Sequence, residues 1–234
     1  MKIAVIMSGI IKNYDHLVDL GKIFNNKTRH DFKVFGQCFD FLGNPRKARD
    51  QIEYTETEPI DTNFVSNYYT DIKYIRGDEF AKYDSEGFSN RIISQWTNIK
   101  EGLMLAEQYE NQTGEAFDMV IRARPDISIV EHLLMKIIDD AAGNERIYWR
   151  SDCVIVGVAN RMKQVLRLAD RYYEYHALPV FKEKTEEWVK KNVNHNRVRS
   201  NAESERLLDY HISNLFGPSG QVKYQTQFNE ILRS

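Results

Sequence analysis

Met119, Val120 and Ile121 form an apolar run that passes directly into Arg122-Ala123-Arg124-Pro125-Asp126. Such a run has the composition of a strand buried on both faces, which requires helices on both sides of a largely parallel sheet. Pro125 has no backbone N–H, so regular pairing should stop near Arg124. The charged residues then sit at the carboxyl end of a central strand, the edge at which open α/β sheets bind ligands. Arg122 and Arg124, two apart on one strand, are expected to point the same way. Two guanidiniums on one face suit an anion that accepts bidentate hydrogen bonds, such as a diphosphate, and Asp126 could hold a divalent cation or a sugar hydroxyl. The competing reading is structural: arginine beside aspartate at a strand end often forms only an ion pair that caps a turn.

The rest of the chain fits the same class. Ile3 to Met7 is a continuous apolar run that ends at Ser8-Gly9, and Leu17, Leu20 and Phe24 then fall at helical spacing. Asp31 to Phe39 alternates as a second strand, so the chain opens as strand, helix, strand with a parallel crossover. Asp40 to Thr70 is polar and without a clear period, and is expected to be a long surface excursion over the ligand edge. A short strand is expected at Asp71 to Ile75. Ile92, Trp96, Ile99, Leu103, Ala106 and Tyr109 mark a long amphipathic helix in which Trp96 belongs to the core. Val130 to Ala142 predicts a helix, and Arg146 to Trp149 and Cys153 to Val158 predict two strands joined by a hairpin or bulge. Asn160 is expected to cap a helix running to about His176. Lys182 to Arg199 is highly charged, Ala202 to Phe216 reads as a further helix, and Gln221 to Gln227 as an edge strand. The predicted architecture is a three-layer α/β sandwich in a single domain, residues 1 to about 125 forming a nucleotide-binding half and 126 to 234 an acceptor-side half.

Composition narrows the function classes. The formal net charge is −2 over 234 residues, which gives no general attraction for nucleic acid phosphates. No apolar run approaches the roughly 20 residues that span a bilayer, and the amino-terminal segment is too short for a signal peptide. Two cysteines, Cys38 and Cys153, imply neither a disulfide framework nor a zinc site, and suit free thiols in a reducing, cytoplasmic setting, the host cytoplasm if the source is viral.

Several blocks together resemble the small GT-A-like glycosyltransferases of viral and bacterial type. Ile6-Met7-Ser8-Gly9-Ile10-Ile11-Lys12 looks like their first strand and turn, with Lys12 where arginine is more usual. Ser94-Gln95-Trp96 and Arg122 to Asp126 look like their middle helix and Arg-x-Arg-Pro-Asp segment. Asp152 to Gly157, Met162 and Glu205-Arg206-Leu207-Leu208 resemble the later elements. The resemblance implies a GT-A-like, Rossmann-like fold, a nucleoside-diphosphate sugar donor, a glycan or other hydroxyl acceptor, and Mn²⁺ or Mg²⁺. No two aspartates stand two residues apart in this chain, so the usual Asp-x-Asp metal motif is missing. Either Asp126 supplies the one direct carboxylate ligand, or Arg122 and Arg124 neutralise the leaving diphosphate without metal.

The roles can be assigned on this basis. Arg122, Arg124 and Lys12 are the candidates for the leaving diphosphate, and the Ser8-Gly9 turn offers backbone N–H groups to the nucleotide. Asp152 is the first candidate base for the acceptor hydroxyl, with Glu205 and Glu203 as rivals. His195 and His211 are read as bystanders, and Tyr172, Tyr173, Tyr175 and His176 as packing and surface, with sugar stacking as the alternative. A nucleotidyltransferase, another phosphate-handling α/β enzyme, or a non-catalytic nucleotide-sugar-binding module are the other readings. No Gly-x-x-x-x-Gly-Lys or Gly-x-Gly-x-x-Gly loop is present to support the common nucleotide folds.

Overall fold

The first apolar run becomes the middle of the central sheet. β1 (Lys2–Met7) lies between β3 (Asp31–Leu42) and β5 (Met119–Ala123) and is parallel to both. The computed structural model describes residues 1–25, 29–42, 58–76, 88–150, 152–179, 196–217, 219, 221–223 and 232–233, with 88–91, 176, 196–203, 221–223 and 232–233 as backbone alone. Outward from β3 lies β4 (Asp71–Ile75), again parallel. Outward from β5 come β8 (Val154–Val158), β7 (Ile147–Arg150) and β9 (Gln221–Lys223). β8 runs against both neighbours, whereas β7 and β9 are parallel. The sheet is therefore mixed, and its reversed strand sits directly beside β5; β6 (Ser128–Ile129) lies apart from it and pairs with Leu232–Arg233.

Both faces of the sheet are apolar because alternate side chains of β1 and β5 serve two different cores. Ile3, Val5, Met7, Met119 and Ile121 pack with α1 (Tyr14–Phe24) and α4 (Glu131–Asn144). Ala4, Ile6, Val120 and Ile155 pack with α3 (Phe88–Thr113), α5 (Ala159–Val165), α6 (Leu168–Ala177) and α7 (Asn196–Phe216). Trp96 on α3 is fully buried, as its spacing predicts, and its indole Nε1 donates to Ser204 Oγ at 3.3 Å. On the opposite face α1 starts at Asn13, whose side chain accepts from the His16 backbone N–H at 3.1 Å. No helix among the described residues is long and apolar enough to cross a membrane.

Four local expectations change. The Ser8-Gly9 turn leads into a short strand, β2 (Gly9–Ile11), which pairs with β3 at Cys38 and Leu42 beyond the reach of β1. β3 itself runs on to Leu42, and Phe41 bridges to Pro59 before the short α2 (Thr62–Ser66), so both ends of the supposed excursion are ordered; 43–57 lie outside the described residues. The helix expected from Asn160 to His176 is two, α5 and α6, and Val158 rather than Asn160 occupies the cap position. The reason is burial: Leu166 and Leu168 are both fully buried, and residues two apart cannot share one helix face. Finally, α7 starts at Asn196, inside the charged stretch, most of which, His195 included, lies outside the described residues.

Candidate functional site

The order of connections reverses between β1 and β5. From β1 the chain moves to β3 and β4 on one side, then returns to place β5 on the other side of β1. A crevice at the carboxyl ends of such a strand pair is the usual ligand position in open α/β sheets. Met7 and Ala123 are register partners, so Ser8 and Arg124 emerge next to each other at that edge. Gly9, with φ +127°, adopts a backbone conformation that L side chains rarely take, and a Cβ there would lie 3.9 Å from Pro125 Cδ. The two strand exits thus remain within van der Waals reach of each other.

Arg124 is the hub of the site. Its Nε and one terminal nitrogen donate to the two carboxylate oxygens of Asp126, each at 2.8 Å, a bidentate fork. Its other terminal nitrogen lies 3.5 Å from Asp152 Oδ2. The same Asp152 oxygen accepts from the Gln95 side-chain amide, and Lys12 Nζ pairs with Asp126 Oδ2. The result is a row of alternating charge, Lys12, Asp126, Arg124, Asp152, ending at Gln95. Asp152 reaches this row because β8 is reversed: its start, not its end, falls at the carboxyl edge of β5, where the Arg124 backbone N–H donates to the Cys153 carbonyl at 3.0 Å.

The row is layered by depth. The Asp126 and Asp152 side chains are 4% and 9% exposed, whereas those of Lys12 and Arg124 are each 33% exposed. Solvent meets cations first, with the carboxylates behind them. Burial by itself would raise the Asp126 pKa, but the Arg124 hydrogen bonds and charge, with Lys12, hold it down at about 2. Burial alone would lower the Arg124 pKa, yet the Asp126 hydrogen bonds and the charges of Asp152 and Asp126 hold it above its ordinary value. Both groups are charged at neutral pH.

Arg122 ends at a different depth from Arg124. It is 1% exposed, on the side of the sheet that α3 covers, and its guanidinium donates to the backbone carbonyls of Ala123 and, at 3.4 Å, Ile6. Its Nε has no hydrogen-bond partner among the described residues. Burial lowers its pKa to about 10, opposed by the charge of Asp152. The expected pair of outward guanidiniums is therefore one outward guanidinium, Arg124, joined by Lys12. Ser8 is likewise turned inward: it is 1% exposed and its Oγ accepts from the Gln37 backbone N–H at 3.1 Å.

The remaining candidates separate from this group. Glu205 is half-buried on α7 and is not part of the hydrogen-bonded row, and the side chain of Glu203 lies outside the described residues. His211 is buried between α6 and α7. Its Nε2 lies 3.1 Å from the Gln164 carbonyl, which can only accept, so Nδ1 is the acceptor for the Tyr175 hydroxyl at 2.9 Å. Tyr172 and Tyr175 are core residues, and Tyr173 is 71% exposed. Both cysteines are free, and burial raises both thiols, Cys38 to about 11. At Cys153 the charge of Asp152 adds to that rise, which leaves a neutral thiol rather than a nucleophile.

Gln95 is the participant that residue type alone did not reveal. It lies on α3 between buried Ser94 and Trp96, and the only sequence signal for it was its place in the Ser94-Gln95-Trp96 block. The donor set does not fit a divalent ion as it stands. Both Asp126 oxygens are taken by Arg124 and one also by Lys12, and among the described residues no three His, Cys, Asp or Glu side chains come together to hold a metal. No known protein-family profile matches the chain, and comparison with curated proteins finds no match.

Proposed function

We propose that the chain is a GT-A-like glycosyltransferase that takes a sugar from a nucleoside-diphosphate donor and transfers it to an acceptor hydroxyl, on a glycan or a comparable molecule. The observation that supports this reading is the layered row at the β1–β5 switch point, with the cations Lys12 and Arg124 outward and the carboxylates Asp126 and Asp152 behind. A mixed central sheet with helices on both faces is compatible with a Rossmann-like α/β fold, and in that respect supports the reading.

In the reaction the acceptor oxygen forms a bond to the anomeric carbon as the bond from that carbon to the diphosphate oxygen breaks. The diphosphate leaves with the electron pair, and its negative charge grows where Lys12 and Arg124 face solvent. In an inverting transfer a carboxylate receives the acceptor proton, and Asp152 is the residue in the row assigned to that task. Gln95 and Arg124 orient it. Arg122 lies beneath the site and supports the ends of β1 and β5 through the Ile6 and Ala123 carbonyls.

A donor-hydrolysis screen with UDP-, GDP- and dTDP-sugars, with and without Mn²⁺ or Mg²⁺, tests the reading. Hydrolysis of one donor, lost in Arg124→Ala and in Asp126→Asn, is the expected result. Undiminished turnover in both variants would show that the site lies elsewhere. A second reading, a nucleotide-sugar-binding module without catalysis, is favoured by the engagement of Asp152 with both Gln95 and Arg124. Donor binding with no hydrolysis and no transfer to any acceptor would select it, and a preference for a nucleoside triphosphate over every diphosphate sugar would select a nucleotidyltransferase instead.

A further inference from the structure

A metal ion that bridges a carboxylate and a diphosphate needs carboxylate oxygens open to the ligand, with space for the ion between them. Here the geometry is inverted. Asp126 keeps only 4% of its side-chain surface, and each of its oxygens already accepts from Arg124 at 2.8 Å. Lys12 takes a third contact with it from the solvent side. On the other flank Asp152 lies 3.5 Å from the same guanidinium. Arg124 thus occupies the space between two carboxylates, where a divalent ion would otherwise be held.

We infer that Lys12 and Arg124 are a built-in substitute for the divalent cation: a pair of positive charges, fixed by Asp126, that binds the diphosphate of the ligand directly and without metal. This deepens the proposed function and rests on it for the identity of the ligand, though not for the anion chemistry. The layering of charge supports it. Lys12 and Arg124 balance Asp126 and Asp152, so the row is neutral as a whole, but its cations are each 33% exposed against 4% and 9% for its carboxylates, which puts the positive ends at the solvent edge. A diphosphate that approaches this edge meets Lys12 and the outer side of the Arg124 fork before it meets either carboxylate. The clamp also fixes orientation, because a guanidinium held at two nitrogens cannot swing away, so little rotamer freedom remains to be lost when the anion docks.

Calorimetric titration of the intact protein with inorganic pyrophosphate, and with UDP, GDP, ADP, CDP and dTDP, in EDTA and then in saturating Mg²⁺ or Mn²⁺, decides the matter. The expected result is binding in EDTA, with affinity changed by no more than about threefold when metal is added. Lys12→Ala should weaken it about tenfold, the order of one charge-assisted contact. Arg124→Lys, which keeps the charge but loses the fork, should weaken it by a similar factor, and covers the case in which Arg124→Ala does not fold. Binding that appears only with metal overturns the inference, and so does metal-free binding indifferent to both Lys12→Ala and Arg124→Lys. The proposed function fails separately. If pyrophosphate binds in EDTA but no diphosphate sugar is bound or hydrolysed, the anion site stands and the glycosyltransferase reading falls; if a donor is hydrolysed only with Mn²⁺ or Mg²⁺, the reverse holds.

Discussion

Arg124 holds Asp126 by two hydrogen bonds of 2.8 Å, although only Pro125 separates the two residues in the chain. So short a loop of sequence closes on itself because the proline ends the strand at that point and turns Asp126 back toward the guanidinium. A partly exposed cation and its counter-charge are thereby specified within three residues.

Asp126→Asn should lower stability at neutral pH by about 2–3 kcal/mol, a figure that follows from a native pKa of about 2 against about 3.9 in the unfolded chain. The native pKa is the lower one, so the contribution is complete above the unfolded value and disappears as pH falls through the native value. Urea denaturation of wild type and variant should therefore give curves well separated at pH 7 that converge between about pH 4 and pH 2. Equal separation at both ends would mean that the charge of Asp126 is not what stabilises the site.

Burial lowers the His211 pKa, and the ring is neutral where it bridges Tyr175 and Gln164. Because the native pKa is below the unfolded value of about 6.5, the unfolded chain binds the proton first and stability falls as pH drops below that point. His211→Gln should flatten the pH dependence of the melting temperature over this range. An unchanged slope would assign the acid sensitivity to another group.

Two glycines should respond in opposite directions. A Cβ at Gly102 on α3 would lie 2.7 Å from Ser8 Oγ and 3.3 Å from Gly36 Cα, so Gly102→Ala should destabilise by about 1–3 kcal/mol as helix and sheet are pushed apart. Gly143 in the last turn of α4 has open space around it, and Gly143→Ala should be neutral or stabilising by up to about 1 kcal/mol. Thermal denaturation of the two variants beside wild type measures both.

Arg122→Met should leave pyrophosphate affinity within about threefold of wild type and stability within about 1 kcal/mol, since an unbranched apolar chain of similar length replaces a buried charge. The result contrasts with Arg124→Lys, and the calorimetry described for the anion site reads both. A tenfold loss in Arg122→Met would place Arg122 among the ligand-binding groups despite its burial.

The strand that ends in Arg122-Ala123-Arg124-Pro125 was legible because apolar composition and proline act locally, and β5 does stop at Ala123. The alternation that sets Arg122 on one face of β5 was legible too, since it is a property of any strand. The difference in depth between Arg122 and Arg124 was not. It depends on α3 covering one position while the other lies past the end of the sheet, and no local pattern encodes where a helix from elsewhere in the chain comes to rest. Gln95 stayed hidden for the same reason: on an amphipathic helix a half-buried polar residue looks like a boundary position until the partner across the crevice is known. Asp152 was marked by its place before an apolar strand, but its arrival beside Arg124 required β8 to be reversed. The short gap of Arg150-Ser151-Asp152 permitted a hairpin without demanding one. The break between α5 and α6 was readable in principle, in that Leu166 and Leu168 are incompatible with one buried stripe, and the caps at Asn160 drew attention away from it.

The reversal of β8 has a further result. The end of β7 and the start of β8 both fall at the carboxyl edge of β5, the edge at which the parallel strands β1, β3 and β4 also end. Asp152 therefore owes its place in the row to strand direction alone: with β8 turned the other way it would leave Arg124, while the pairing of β1, β3, β4 and β5 would stay in register.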